Sequence, residues 1–335
     1  MAALKSNLSS PPLATVAASS RKHFSVQVLA MELILTALVV FLIFAAPGFA
    51  SVNNLLNVLR TISMLGIVAF GMTAVVISGE IDLSVGSGAA LGACITTSLT
   101  AALAPSLGAP LGVIIGIASA LVAGGLSGLF TGKVKQWLNV PTFITTLALL
   151  TALRGIANMI TGGYPITDLP AWFQFFGAGN ILGIPVPVFV YLIVFAAMHL
   201  LMNYTTFGRA IYAAGGNVEA ARLSGISVNL AKTGPLVITG VLAALSGVLL
   251  ASQIGSGNGT IAVGMELDVI AAVIIGGASL YGGKGTIWGT FIGVLLLGCI
   301  SNGMTLMNVS EYEQYVVKGA IILGAVMMRQ YLDRR

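Results

Sequence analysis

Residues 110–132 read PLGVIIGIASALVAGGLSGLFTG, twenty-three positions without a charge. As a helix this stretch rises about 35 Å, enough to cross a hydrocarbon core about 30 Å thick. Gly112, Gly116, Ala120, Gly124, Gly128 and Gly132 fall on every fourth position. They form one smooth helical face that a neighbouring backbone can approach closely. A second class of segment would show strict alternation of apolar and polar residues, and that pattern is absent; a membrane β-barrel is therefore not expected.

Similar runs occur at 28–46 (interrupted only by Glu32), 61–78, 85–104, 140–161, 182–202, 233–252, 266–282, 286–304 and 316–331. The expected fold is therefore an all-α polytopic membrane protein with about ten transmembrane helices, since backbone polar groups in lipid must be satisfied within the segment. Composition agrees. Hydrophobic residues make up 57% of the 335 positions and charged residues 7%, against about 25% charged in soluble domains. A soluble globule could not cover its surface with so few charges. Residues 1–27 are polar, rich in small side chains and carry Lys5, Arg21 and Lys22; they read as a disordered cytoplasmic tail. Residues 28–332 form one transmembrane domain. The run at 28–46 is about 19 residues long, sufficient to span, and reads as a helix rather than a signal peptide.

The basic residues set an orientation. With ten helices and an internal N-terminus, the cytoplasmic side holds Lys5, Arg21, Lys22, Lys133, Lys135, Arg209, Arg222, Lys232, Lys284, Arg329, Arg334 and Arg335, 12 of the 15 Lys and Arg. Arg60, Arg154 and Lys318 are the exceptions. This asymmetry is that of a membrane protein with both termini in the cytoplasm, and it accounts for the net charge of +5 without nucleic acid as a partner. Cys94 and Cys299 lie inside apolar runs, so neither a disulfide framework nor a metal cluster is expected. Two histidines, His23 and His199, leave a Ser-His-Asp triad or a His-based metal site improbable. Gly282-Gly283-Lys284-Gly285 lacks the upstream glycine and the hydroxyl residue of a phosphate loop. No catalytic residues, cofactor or metal are therefore assigned to the chain.

An internal echo links the two halves. Glu80-Ile81-Asp82-Leu83 and Glu266-Leu267-Asp268-Val269 share one pattern, five predicted helices apart. An odd separation reverses direction across the membrane, which predicts two inverted five-helix halves. The ninth predicted helix, the counterpart of 110–132, is expected to repeat the small face with Gly285, Gly289 and Gly293.

Two polar segments are long. Residues 161–181 hold Trp172, Phe173, Phe175 and Phe176 but no Lys or Arg; an aromatic belt and part of an outer docking platform or gate are both open readings. Residues 203–232 predict a short exposed helix, with Asn217 as N-cap, Glu219 in the first turn and Gly225 in the left-handed closing position. Such a helix is too short to be stable alone and needs a surface. Ala220, Ala221 and Ser224 are small enough to enter a groove on another protein; packing on its own bundle is the alternative.

Glu219-Ala220-Ala221-x-x-x-Gly225 resembles the E-A-A-x-x-x-G loop of permease subunits of bacterial ABC importers. Gly79-Glu80-Ile81-Asp82-Leu83-Ser84-Val85-Gly86-Ser87 is similar to the G-G-I-D-L-S-V-G-S signature of the ribose/xylose/arabinose permease group, with Glu80 in place of the second glycine. Gly208-Arg209-x-Ile211-Tyr212-Ala213-x-Gly215-Gly216-Asn217, Glu266-Leu267-Asp268-x-Ile270-Ala271-Ala272-Val273 and Gly282-Gly283-Lys284-Gly285 match the same group. The resemblance implies a monosaccharide permease of the inner membrane that works by alternating access. It implies a separate ATPase subunit carrying ATP and Mg, a periplasmic sugar-binding protein, and a second permease chain, most simply a homodimer, with a heterodimer open. The coupling loop would be carried by Gly208, Arg209, Gly216, Asn217, Glu219, Ala220, Ala221, Arg222 and Gly225.

Candidate pathway residues are the polar side chains near or within the predicted helices. An ionised carboxylate inside a bundle is costly and functional by default, which singles out Glu80, Asp82, Glu266 and Asp268; structural pairing is the other reading. Arg154 and Asn158 share one helix face, and Asn302 lies near an outer end; each suits either a sugar path or helix-to-helix hydrogen bonding. The rival class is a ten-helix secondary transporter of the drug/metabolite type. Such a protein has no need of a docking loop of about 30 residues, and a channel does not account for E-A-A-x-x-x-G.

Overall fold

The computed structural model of the protein describes residues 13–333. Its helices are α1 (Leu13–Ala45), α2 (Val52–Ile77), α3 (Val85–Leu107), α4 (Ala109–Leu138), α5 (Thr142–Thr161), α6 (Phe175–Ala178), α7 (Val186–Tyr204), α8 (Thr206–Gly216), α9 (Val218–Leu223), α10 (Val228–Ile254), α11 (Met265–Ile275), α12 (Ile287–Leu306) and α13 (Glu311–Asp333). A two-residue hairpin pairs β1 (Asn180–Ile181) with β2 (Ile184–Pro185). Seven of these helices, α2, α3, α4, α5, α7, α10 and α12, are long and apolar enough to cross a membrane, and α1 contains a shorter apolar stretch, Leu29–Ala45. The fold is thus an all-α polytopic bundle.

Two expectations change in detail. The first helix begins at Leu13, just after Pro11 and Pro12, so positions 13–27 of the expected tail are helical; positions 1–12 lie outside the described residues. The run at 266–282 is not one helix. It folds as α11, eleven residues long, which rises about 16 Å, roughly half of a hydrocarbon core. The helix stops at Gly276, and Gly277 turns left-handed at φ +86°. The irregular backbone beyond it is satisfied internally: the Ser279 N–H donates to the Lys284 carbonyl at 2.9 Å.

α2 is the axis of the molecule. Every residue from Gly66 to Ile77 is buried, as expected of a helix that is apolar all round. α2 packs against α10, α12, α11 and α7; α10 packs against α4, α3 and α2; α3 packs against α4 and α5, and α11 against α12 and α13. The glycine face of α4 fits between two partners. Gly112 and Gly116 lie against the backbone of α3 at Thr100 and Thr96, while Gly124 and Gly128 lie against the carbonyls of Gly240 and Leu236 on α10. A methyl group at Gly124 would overlap the Gly240 oxygen. On α12, Gly289 and Gly293 meet the carbonyls of Gly276 and Ala272 on α11 in the same manner. Gly285, expected on that face, precedes α12 and sits in the turn before it.

In the segment 161–181, Phe173 is fully buried in a cluster with Val113, Ala120 and Val248, while Trp172, Phe175 and Phe176 remain partly exposed. The hairpin that follows is held by Arg60, which donates to the Ala178 carbonyl and to Asn180 Oδ1 at 3.2 and 3.0 Å.

Candidate coupling face and transport cavity

The loop 203–232 folds as two short helices. Thr205 caps α8, accepting from the Gly208 N–H at 3.0 Å. Gly208 lies against the carbonyls of Leu201 and Met202, so the chain turns sharply between α7 and α8, and Arg209 projects outward. Gly216 ends α8. Asn217 caps α9 by accepting from the Ala220 N–H at 3.0 Å. Gly225, at φ +76°, closes α9: its N–H donates to the Arg222 carbonyl and the Ile226 N–H to the Ala221 carbonyl, each at 3.0 Å. Glu219 and Arg222 form an exposed pair at 2.8 Å, a geometry that contributes little to stability.

Ala221 requires a correction. It is 3% exposed and belongs to an alanine cluster with Ala214 and Ala231, so it packs on its own bundle. The outward face of α9 is Ala220, Leu223 and Ser224, three and four positions apart. Leu223 is 80% exposed.

Glu80 and Asp82 stand in the break between α2 and α3. The Glu80 carboxylate is buried. It is paired with Lys135 of α4, with Lys232 of α10 at 2.7 Å, and accepts from the Thr142 hydroxyl of α5 at 2.6 Å. Burial pushes its pKa up, but the hydrogen bonds from Lys135, Lys232 and Thr142 outweigh burial and hold it below the ordinary carboxylate value. Asp82 accepts from the Ser84 N–H and hydroxyl at 2.8 and 2.6 Å and so fixes the start of α3. Both residues clamp the break.

A cavity of about 490 Å3 opens at the other end of α2. Asn57 and Thr61 of α2, Gln253 of α10, Asp268 of α11 and Ser301 and Asn302 of α12 give it a polar wall. Asp268 pairs with Lys318 of α13 at 2.9 Å. Asn302 and Asn54 exchange two amide hydrogen bonds, at 2.9 and 2.8 Å. Of the seven candidate pathway residues, the structure brings Asp268 and Asn302 to this cavity. Arg154 instead donates to the Gly259 and Ile261 carbonyls at 2.7 and 2.6 Å, and Asn158 donates to the Arg154 carbonyl at 3.0 Å. Arg154 thus holds the loop that leads into α11. Glu266 presses its Oε2 against Gly86 in the first turn of α3, so the second echo motif touches the helix that follows the first, and that oxygen is buried without a hydrogen-bond partner. Asn54, Asn57 and Thr61 went unread because they precede or begin an apolar run; their helical spacing is the signal that would have found them. Among the described residues no three His, Cys, Asp or Glu side chains gather as a metal site.

A helical bundle with a short exposed helix at one end and a cavity with a polar wall at the other is the architecture of a polytopic membrane protein, and comparison with known proteins gives its class as a transport subunit. The chain belongs to the family described as branched-chain amino acid transport system / permease component, which matches residues 54–326. It is 42% identical to the ribose import permease protein RbsC of Bacillus subtilis, over 94% of this chain and 96% of that protein. It is 40% identical to RbsC of Escherichia coli K12, covering 94% and 98%, and 34% identical to the xylose transport system permease protein XylH of the same organism, covering 95% of each. No solved structure matches the chain. These relatives fall in the group that the motifs resemble, and they do not favour a drug/metabolite-type secondary transporter.

Proposed function

We propose that the chain is the permease of an ATP-driven importer that moves a monosaccharide or similar small polyol into the cytoplasm. The relatives named for ribose import and xylose transport match nearly the whole of this chain, which supports the substrate class. The cavity chemistry is compatible with it: among its polar side chains amides and hydroxyls outnumber charged groups, and its ion pair, Asp268–Lys318, is self-neutralised. ATP and Mg bind a separate ATPase subunit, a periplasmic binding protein delivers the sugar, and two copies of the chain form the pathway. Both termini face the cytoplasm, with α9 on the same side, as the distribution of Lys and Arg supports. The interchange of packing partners supports an inverted repeat: α10 lies on α3 and α4 much as α2 lies on α11 and α12, and α3 meets α5 as α11 meets α13.

The observation that carries the reading is α9, a six-residue helix held outward with Leu223 uncovered. Ala221 packs the inner side of this short helix on its own bundle, and the large apolar side chain left at its outer face suits a groove on a partner. Leu223→Arg should leave expression and folding of the permease intact, because the side chain touches little of its own chain, and should abolish co-purification of the ATPase. Wild-type recovery of the ATPase with Leu223→Arg would remove α9 as the docking element.

A further inference from the structure

Three segments far apart in sequence meet where α8 ends. Gly215, in its last turn, lies directly against the carbonyl of Ile77, the last residue of α2; a methyl group there would overlap that oxygen. The same carbonyl accepts a hydrogen bond from the Gly283 N–H at 2.8 Å. Gly282 and Gly283 are left-handed, at φ +83° and +72°, and press on Gly215 and Gly216: a Cβ on Gly282 would stand 2.6 Å from the Gly215 oxygen, and one on Gly283 2.7 Å from the Gly216 Cα. One turn back along α8, the Tyr212 hydroxyl donates to the Gly285 carbonyl at 2.9 Å. Ile211 shares an apolar cluster with Ile77 and Ile287. The contact is largely backbone on backbone. A side-chain lever would absorb displacement by changing rotamer, whereas close-packed backbone passes it on.

What lies on either side gives the contact its meaning. Asn217, two residues beyond Gly215, caps α9. α2 runs from Ile77 for about 39 Å, continuously buried back to Gly66, and its far end carries Asn57 and Thr61 on the cavity wall. The turn 282–285 feeds directly into α12, whose far end carries Ser301 and Asn302 on the same wall. We infer that Tyr212, Gly215 and the turn Gly282–Gly285 form the joint that converts a displacement of α9 into movement of α2 and α12, and so of the cavity walls. These are positioning residues, outside the lining of the cavity. The inference rests on the permease function proposed above.

The test measures ATP hydrolysed per sugar imported, in vesicles holding the permease, its ATPase and the binding protein, for Gly215→Ala and Tyr212→Phe. Gly215→Ala forces α8 away from Ile77. Tyr212→Phe removes a single hydrogen bond and adds no bulk. Both variants should assemble with the ATPase at wild-type stoichiometry. The ratio of ATP to sugar should rise about threefold for Tyr212→Phe, the loss of one buried hydrogen bond, and about tenfold for Gly215→Ala, a backbone overlap. A merely structural role lowers the yield of complex without changing this ratio. Wild-type ratios in both variants would overturn the joint, as would a wild-type ratio in Tyr212→Phe when Gly215→Ala does not assemble. Failure of the wild-type chain to bind an ATPase is a separate result, and it would overturn the permease function itself.

Discussion

Glu80 shows how one residue departs from a motif and is absorbed. Where the resembled signature has glycine, this chain buries a carboxylate between Lys135, Lys232 and Thr142. The pairing lowers the Glu80 pKa relative to its unfolded value. A lowered carboxylate contributes fully above the unfolded value, about 4.5, and loses its contribution as pH falls through the folded value. Glu80→Gln leaves two ammonium groups facing an amide. It should destabilise by about 1–3 kcal/mol near neutral pH, less than a fully buried pair because the lysines retain solvent contact. Thermal unfolding in detergent between about pH 3 and 7 reads this out: the difference from wild type should shrink on acidification, and a difference that grows instead would contradict the clamp. At this scale the sequence was legible wherever the physics was local. Asn217 as cap and Gly225 as closing residue follow from neighbours within one turn. The burial of Ala221 did not, because it depends on Ala214 and Ala231, brought in by two other helices.

Helix α4 illustrates the same division among elements. Its fourfold glycine spacing announced a close contact, and the contact exists, but nothing in the spacing said that the face divides between α3 and α10. The length of α11 was illegible for a different reason. Hydropathy continues through Ala278 and Leu280, and only the pair Gly276–Gly277 marks the stop, in a chain with 42 glycines. Gly124→Leu should prevent α4 from seating on α10 and abolish recovery of folded protein, since the side chain has no volume to occupy. Gly155→Ala on α5 is the matched control: a Cβ there meets nothing within 4 Å, and alanine favours the helix by about 1 kcal/mol. Size-exclusion profiles of the two variants check this. A monodisperse Gly124→Leu peak at wild-type yield would remove the packing basis of the bundle.

The whole molecule is built about α2, with the short exposed helix α9 joined through α8 to one end and a cavity with a polar wall at the other. The orientation proposed from the distribution of cations is open to a direct check. In a background without Cys94 and Cys299, an impermeant thiol reagent should label Leu182→Cys, at the 96% exposed hairpin tip, in intact cells. It should label Leu223→Cys only after lysis; the reverse pattern would invert the topology. The energy source is the central matter, because ATP-driven import and ion-driven import make opposite demands on one preparation. Proteoliposomes carrying the chain, its ATPase and the binding protein should accumulate a radiolabelled sugar retained by that binding protein only when hydrolysable ATP reaches the ATPase, and accumulation should persist when ionophores collapse every ion gradient. Sugar uptake that proceeds without the ATPase and stops with the ionophores would contradict an ATP-driven permease.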